Sequence, residues 1–254
     1  MNENTMYHIG LSTSLRAKYA VLPGDPGRVP KIAAYLDESA EMGFNREFRT
    51  WSGKLCGETV LVTSTGIGGP SAAIAVEELI QLGVDTFVRV GTCGGMNEKV
   101  CAGDVVIATG AIRMEGTSRE YLPIEFPAVA DYGLVHDLAE GAKALALPYH
   151  TGVVQSKDSF YGQHSPKSMP NGAELLRKWD AWLAGGCLAS EMEAASIFSV
   201  AAARDVRAAA VFHVVWNQIR RDKFGDNSES HDTDRAIRTA IEGLKLTIAS
   251  DNAR

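Results

Sequence analysis

The sequence predicts an α/β fold: one domain over residues 1–254, a central mostly mixed β-sheet flanked by helices. Three observations carry this. β-branched and apolar runs alternate with amphipathic stretches along the chain, the pattern of strands joined by helical crossovers. Residues 207–216, RAAAVFHVVW, are almost wholly apolar, as a strand covered on both faces must be. No repeat, low-complexity segment or interior break divides the chain.

The first strand is KYAVLP, 18–23, turned at Gly24-Asp25-Pro26-Gly27. A helix follows from about Arg28; Pro30 is tolerated because first-turn amides lack intrahelical partners. TVLVTST, 59–65, is a β-branched strand. Gly66-Ile67-Gly68-Gly69 forms a loop, Pro70 opens a helix through SAAIAVEELIQL, and Gly83 suits its end. Strands are expected at 86–91 and 104–111, then a long irregular stretch at 113–130 containing Pro123 and Pro127. A helix at 131–146, a strand at 150–156 and a polar loop at 161–171 come next. The remainder reads as a helix at 172–184, a short strand Cys187-Leu188-Ala189, a helix at 191–203, the apolar strand and a helix at 232–249. Right-handed crossovers then place function in loops at the carboxyl ends of the strands.

Composition narrows the function. Apolar residues make up 45% and charged residues 22%, enough to fill a core. A net charge of −6 gives no support to non-specific binding of nucleic acid or anionic membrane. No leader or bilayer-length apolar run is apparent, and Cys56, Cys93, Cys101 and Cys187 lack CxxC spacing. Four free thiols in the cytosol are expected. Serine at 71 breaks a dinucleotide fingerprint, and neither GxxxxGK[ST] nor GxSxG occurs.

Arginines supply the chemistry. Arg89 interrupts the apolar strand Phe87-Val88-Arg89-Val90-Gly91, just before Thr92-Cys93-Gly94-Gly95. A buried guanidinium needs an anion, either an internal carboxylate or a bound oxyanion. The small residues beside it favour the oxyanion. Gly24-Asp25-Pro26-Gly27-Arg28 repeats this grammar: a strand ends, glycine lets the backbone approach, and arginine opens a helix. Arg46 alone reads as a solvated charge. Ser190-x-x-Glu193 reads equally as a capping box or as part of a site.

Several motifs occur in order: Pro23-Gly24-Asp25-Pro26-x-Arg28, Arg46-Glu47-Phe48, Ser64-Thr65-Gly66-Ile67-Gly68-Gly69-Pro70-Ser71, Arg89-Val90-Gly91-Thr92, Glu125-Phe126-Pro127-Ala128-Val129-Ala130-Asp131 and Ser190-Glu191-Met192-Glu193. Together they resemble the nucleoside phosphorylase family, most closely its uridine-cleaving branch, from about His8 to Asn217. The resemblance implies a phosphate site at Gly24, Arg28, Arg89 and Thr92, completed by Arg46 from a neighbouring subunit. It implies ribose contacts from Met192 and Glu193, and from His8 across a subunit boundary. Phe160 and Gln163 match the base pocket. Glu47, Ile67 and Ser71 match a structural potassium site between subunits. It also implies a homohexamer, a trimer of dimers, with inorganic phosphate as co-substrate and no required cofactor.

One departure stands out. The pyrimidine branch follows its glutamine with an arginine two residues later, whereas this chain reads Gln163-His164-Ser165-Pro166-Lys167. Lys167, His164 or a water are the candidates to replace it. Near Asn217, where purine-cleaving relatives carry an aspartate, Val215-Trp216-Asn217-Gln218 has no carboxylate, which favours a pyrimidine. The expected reaction is uridine plus phosphate to uracil plus ribose 1-phosphate, through an oxocarbenium-like transition state, with Arg89, Glu193 and Gln163 catalytic. The rivals are a purine nucleoside phosphorylase, a nucleosidase using water, and a non-catalytic nucleoside-binding member of the fold.

Overall fold

The computed structural model describes residues 5–253. Strands β1 (Tyr19–Pro23), β2 (Asp37–Asn45), β3 (Phe48–Leu55), β4 (Glu58–Thr63) and β5 (Thr86–Gly95) share one sheet with β6 (Val105–Met114), β7 (Ala128–Val129), β8 (Tyr149–Lys157), β9 (Ala189–Glu191) and β10 (Arg207–Asn217). The strand order is β10-β6-β8-β9-β5-β1-β4-β3-β2, with β7 beside β6. β10 also pairs with β5, so β5, β10, β6, β8 and β9 form a closed ring from which β1, β4, β3 and β2 extend. Pairing is mixed: β5 is parallel to β1 and β10, while β6 is antiparallel to β10. The expected mixed sheet is therefore present.

Helices cover it: α1 (Val29–Ala33), α2 (Gly69–Gln81), α3 (Thr117–Tyr121), α4 (Tyr132–Ala144), α5 (Phe160–His164), α6 (Gly172–Ala184), α7 (Ala194–Ala203), α8 (Gln218–Phe224) and α9 (Asp234–Asn252). α7, buried along most of its length, lies against β6, β7 and β10 with α2 packed on it. α9 lies against β5 and β10 with α4 packed on it. Tyr19, Leu22, Phe87, Phe198 and Phe212 are fully buried in the resulting core.

The structure corrects several sequence expectations. The β2–β3 hairpin is absent from the sequence reading because β2, DESAEMGFN, buries none of its residues and so shows no apolar alternation. The irregular stretch at 113–130 contains α3 and β7. Buried Arg113 organises it by donating to Ser118 Oγ and to the carbonyls of Ser118, Leu122, Pro123 and Phe126. The expected loop at 161–171 is largely helical: Ser159 caps α5 by accepting from Gly162 N at 2.9 Å, and a 3₁₀ turn spans Pro166–Ser168. α8 had no apolar signal because none of its residues is buried.

The last correction concerns Ser190-x-x-Glu193. The short strand is Ala189–Glu191, not residues 187–189, and the helix starts at Ala194, not 191. Its free amides are capped from elsewhere. Glu191 accepts from Glu193 N at 2.8 Å and Ala194 N at 2.9 Å, and Ser156 Oγ accepts from Ala195 N at 2.8 Å. Ser190 and Glu193 are not a capping box. Their side chains are free for other work.

Candidate active site

The site lies where β5 changes neighbours. One edge of β5 is covered by β1 as far as the pair Pro23–Val90, and by β9 from the pair Gly94–Ser190. Residues 91–93 lie in the gap between those two partners. Such divergence at the carboxyl end of a strand opens a crevice. A cleft of about 660 Å³ occupies it, lined by residues of β5, β8, β9 and β10 and by residues that follow β1, β4, β8 and β9. On the other edge of β5 the pairing with β10 shifts between Val214 and Trp216, and this bulge brings Val215 and Trp216 to the cleft wall.

Gly24, Arg28, Arg89 and Thr92 line this cleft together. A Cβ on Gly24 would sit 3.2 Å from Gly66 O and 3.7 Å from Arg89 Nη2, so glycine keeps the backbone open beside the guanidinium. Arg28 has Asp25 at 4.0 Å. Burial first, and then the like charge of Arg89, make the Arg28 guanidinium less basic than usual. Two cations that disfavour each other across a cleft are both stabilised by an anion between them. Arg89 has internal carboxylate partners, the first of the two sequence readings, and also lines the cleft. It donates through Nη2 to Glu193 and lies 3.7 Å from Glu191 through Nε, which has no hydrogen-bond partner among the described residues.

Glu193 is buried, yet it faces the cleft. Its Oε1 accepts from Gly68 N at 2.7 Å, and Oε2 accepts from Arg89. Gly68 adopts φ 92°, a conformation that suits glycine and presents this amide to the carboxylate. Met192 lines the wall beside Glu193. Glu191 is the capping carboxylate; burial, then the charge of Glu193, push its pKa up, opposed by Arg89 and Ser156. Cys93 also lines the cleft, and burial pushes its thiol far above the usual range, which disfavours the thiolate a nucleophile needs.

An aromatic wall forms a second group. The ring centres of Phe160 and His164 lie 4.3 Å apart and those of His164 and Trp216 lie 5.7 Å apart, all three residues lining the cleft. Burial, then the charges of Lys157 and Arg221, push the His164 pKa down, so the ring is neutral near pH 7. Gln163 accepts through Oε1 from Ser190 Oγ at 2.6 Å, and Ser190 Oγ accepts from Lys157 Nζ at 2.7 Å. Lys157, 4% exposed, is a cleft residue that the sequence reading passed over. A weak signal was present: in Val153-Val154-Gln155-Ser156-Lys157 the strand's carboxyl end carries a cation, as β5 carries Arg89. Lys167 is exposed on the 3₁₀ turn and does not line the cleft, so it is a poor replacement for the expected arginine.

The remaining expected residues lie apart from this cleft or at its rim. Arg46 is exposed at the β2–β3 turn with φ 55° and does not line it. His8 Nδ1 contacts Glu78 at 2.6 Å in a separate open groove. Glu47 accepts from Ser71 Oγ at 2.7 Å, while Ile67 is 78% exposed and lines the cleft. Asn217 does not line the cleft. Its amide donates to the carbonyls of Asn97 and Val100, and its oxygen caps α8 through Arg220 N.

Among the described residues no group of three or more His, Cys, Asp or Glu side chains could hold a metal ion, and no helix is long and apolar enough to cross a membrane. Comparison with known proteins agrees with the geometry. The chain is 53% identical over 248 residues to a uridine phosphorylase of Treponema pallidum, covering 98% of this chain and 96% of that one. It is 41% identical to a uridine phosphorylase of Thermococcus kodakarensis, covering 99% and 90%. It is 38% identical to a guanosine phosphorylase of Halorubrum lacusprofundi, covering 90% of each. The model of the phosphorylase superfamily matches residues 18–248, and the chain belongs to that superfamily.

Proposed function

We propose that this protein cleaves the glycosidic bond of uridine with inorganic phosphate, giving uracil and ribose 1-phosphate. The observation that carries this is one cleft lined by two unlike groups. Arg28, Arg89, Gly24 and Thr92 suit a phosphate dianion, and Phe160, His164, Trp216 and Gln163 suit a flat heterocycle bearing carbonyls. Uridine phosphorylases are prominent among the relatives.

In this reading phosphate approaches the sugar carbon as the bond to the base stretches and the ribose gains oxocarbenium character. Arg28 and Arg89 hold the phosphate, with Arg46 of a neighbouring subunit. Glu193 and Met192 hold the ribose, with His8 of a neighbouring subunit at the 5′-hydroxyl. Phe160 and Gln163 hold the base. The placement of Arg46 and His8 outside their own chain's cleft supports a shared site, and with it a homohexamer built as a trimer of dimers. The Glu47–Ser71 contact beside Ile67 supports a structural potassium ion at that boundary. No cofactor is required, phosphate is the co-substrate, and a cytosolic location fits four cysteines without disulfides.

The test is base release from a panel of nucleosides at varied phosphate. Uridine turnover that saturates with phosphate is expected. Turnover independent of phosphate would indicate a nucleosidase, a preference for guanosine or inosine the purine reading, and tight binding without turnover a non-catalytic member.

A further inference from the structure

We propose that Lys157 is the catalytic cation at the base end of the cleft, the group that meets the negative charge carried away by the pyrimidine. The proposal rests on the phosphorolysis reading above and supplies the donor that the sequence lacks after Gln163.

Lys157 ends β8 and is 4% exposed, yet it lines the cleft. A buried ammonium needs a counter-charge. Burial pushes its pKa down, and the carboxylates that oppose this, Glu191 and Glu193, are engaged by Arg89. Among the described residues Lys157 forms no ion pair, and its hydrogen bond to Ser190 uses one of its three donors. Nζ stands 5.9 Å from the centre of the Phe160 ring, so a base packed on that ring lies within reach of it.

The same cation also sets the amide beside it. Ser190 accepts from Lys157 and donates to Gln163 Oε1, which leaves the Nε2 donor of this cleft-lining residue for a ligand. An ammonium and an amide N–H therefore face a ring whose carbonyl oxygens gain charge. The electrons balance without a protein nucleophile. The pair of the broken C1′–N1 bond leaves on uracil and spreads onto its carbonyl oxygens. A phosphate oxygen forms the new bond to C1′, and the proton of hydrogen phosphate passes through solvent to the base. Lys157 keeps its proton throughout and acts as a preorganised donor.

The test compares wild type and Lys157→Met on uridine and on 5-fluorouridine, whose base is the better-stabilised anion. Loss of one such donor lowers kcat on uridine by about 10²–10³-fold. The loss on 5-fluorouridine is expected to be at least tenfold smaller, with the KM for phosphate unchanged within about threefold and a melting temperature equal to or above wild type. A merely structural lysine would lower melting temperature and reduce both substrates equally, and that result overturns the proposal. Wild-type turnover of uridine with an unimpaired Lys157→Met variant overturns the Lys157 assignment alone. A wild type that cleaves no pyrimidine nucleoside overturns the parent reading and this one together.

Discussion

Glu193→Gln tests whether the Arg89–Glu193 pair belongs to a site or to the core. Glutamine keeps an oxygen for Gly68 N–H but removes the charge facing Arg89, leaving that guanidinium with Glu191 at 3.7 Å. Both side chains of the pair are 5% exposed, so solvent cannot take over. Removing one partner of a buried pair costs about 3–5 kcal/mol. For a chain of this size that lowers the melting temperature by roughly 6–20 °C, at ~2–4 °C per kcal/mol. Replacing both, as Arg89→Met with Glu193→Gln, removes the stranded charge and should recover most of that stability. Phosphate discriminates further: at about 100 times its dissociation constant it adds roughly 2.7 kcal/mol to a variant that retains Arg89. The double variant should gain far less. Thermal melts of wild type, the Glu193→Gln and Arg89→Met single variants and the double variant, with and without phosphate, beside uridine assays, complete the cycle. Activity should fall in all three variants. A Glu193→Gln protein as stable as wild type, or a double variant no more stable than it, would refute the reasoning.

Asp251 joins the end of α9 to the sheet by accepting from Arg207 at 2.6 Å and Tyr19 at 3.0 Å, with Lys18 at 3.1 Å. Burial alone would raise its pKa, but hydrogen bonds from Arg207, Lys18 and Tyr19 hold it well below the usual carboxylate range. Its stabilisation is complete above the ordinary value of about 3.9 and is lost as pH falls through the depressed one. Asp251→Asn should cost about 1.5–3 kcal/mol at pH 7 in chemical denaturation and less in acid. His164 has its pKa pushed down by burial, then by Lys157 and Arg221, so its contribution holds above about 6.5 and fades as pH falls through the lowered value. His164→Phe should keep kcat on uridine within about tenfold, since a neutral ring serves by stacking; a loss as large as that of Lys157→Met would show it to be the cation. A thiol reagent should label exposed Cys56 first and leave Cys187, whose thiol burial pushes up to about 12, until the chain unfolds.

Much of this was legible in one dimension, for a physical reason. A guanidinium inside an apolar strand must have a partner, so Arg89 could be singled out before its surroundings were known. The structure sets Arg28, Thr92 and Gly24 beside it in one cleft. Buried strands and amphipathic helices show through their periodicity, which is why β1, β4, β5, β10, α2 and α9 stand within a few residues of expectation. β2 and α8 were missed because they bury nothing and carry no such pattern.

What stayed hidden depends on strand register. Gln155 pairs with Ser190 and Ser156 with Glu191 in the parallel contact of β8 and β9. That register sets Ser156 Oγ against Glu191 and the amide of Ala195, so the start of α7 is capped from a strand 39 residues away in sequence. With the cap supplied there, Glu193 turns to Arg89, and Ser190 bridges Lys157 to Gln163. A slip of one residue would exchange the faces of Ser190 and Glu191. It would bring an anion to the base end, where it would pair with Lys157 and cancel the charge a departing pyrimidine needs. A cation sought among the few residues after Gln163 could not be found there, because strand pairing, not proximity in the chain, brings Lys157 to that glutamine.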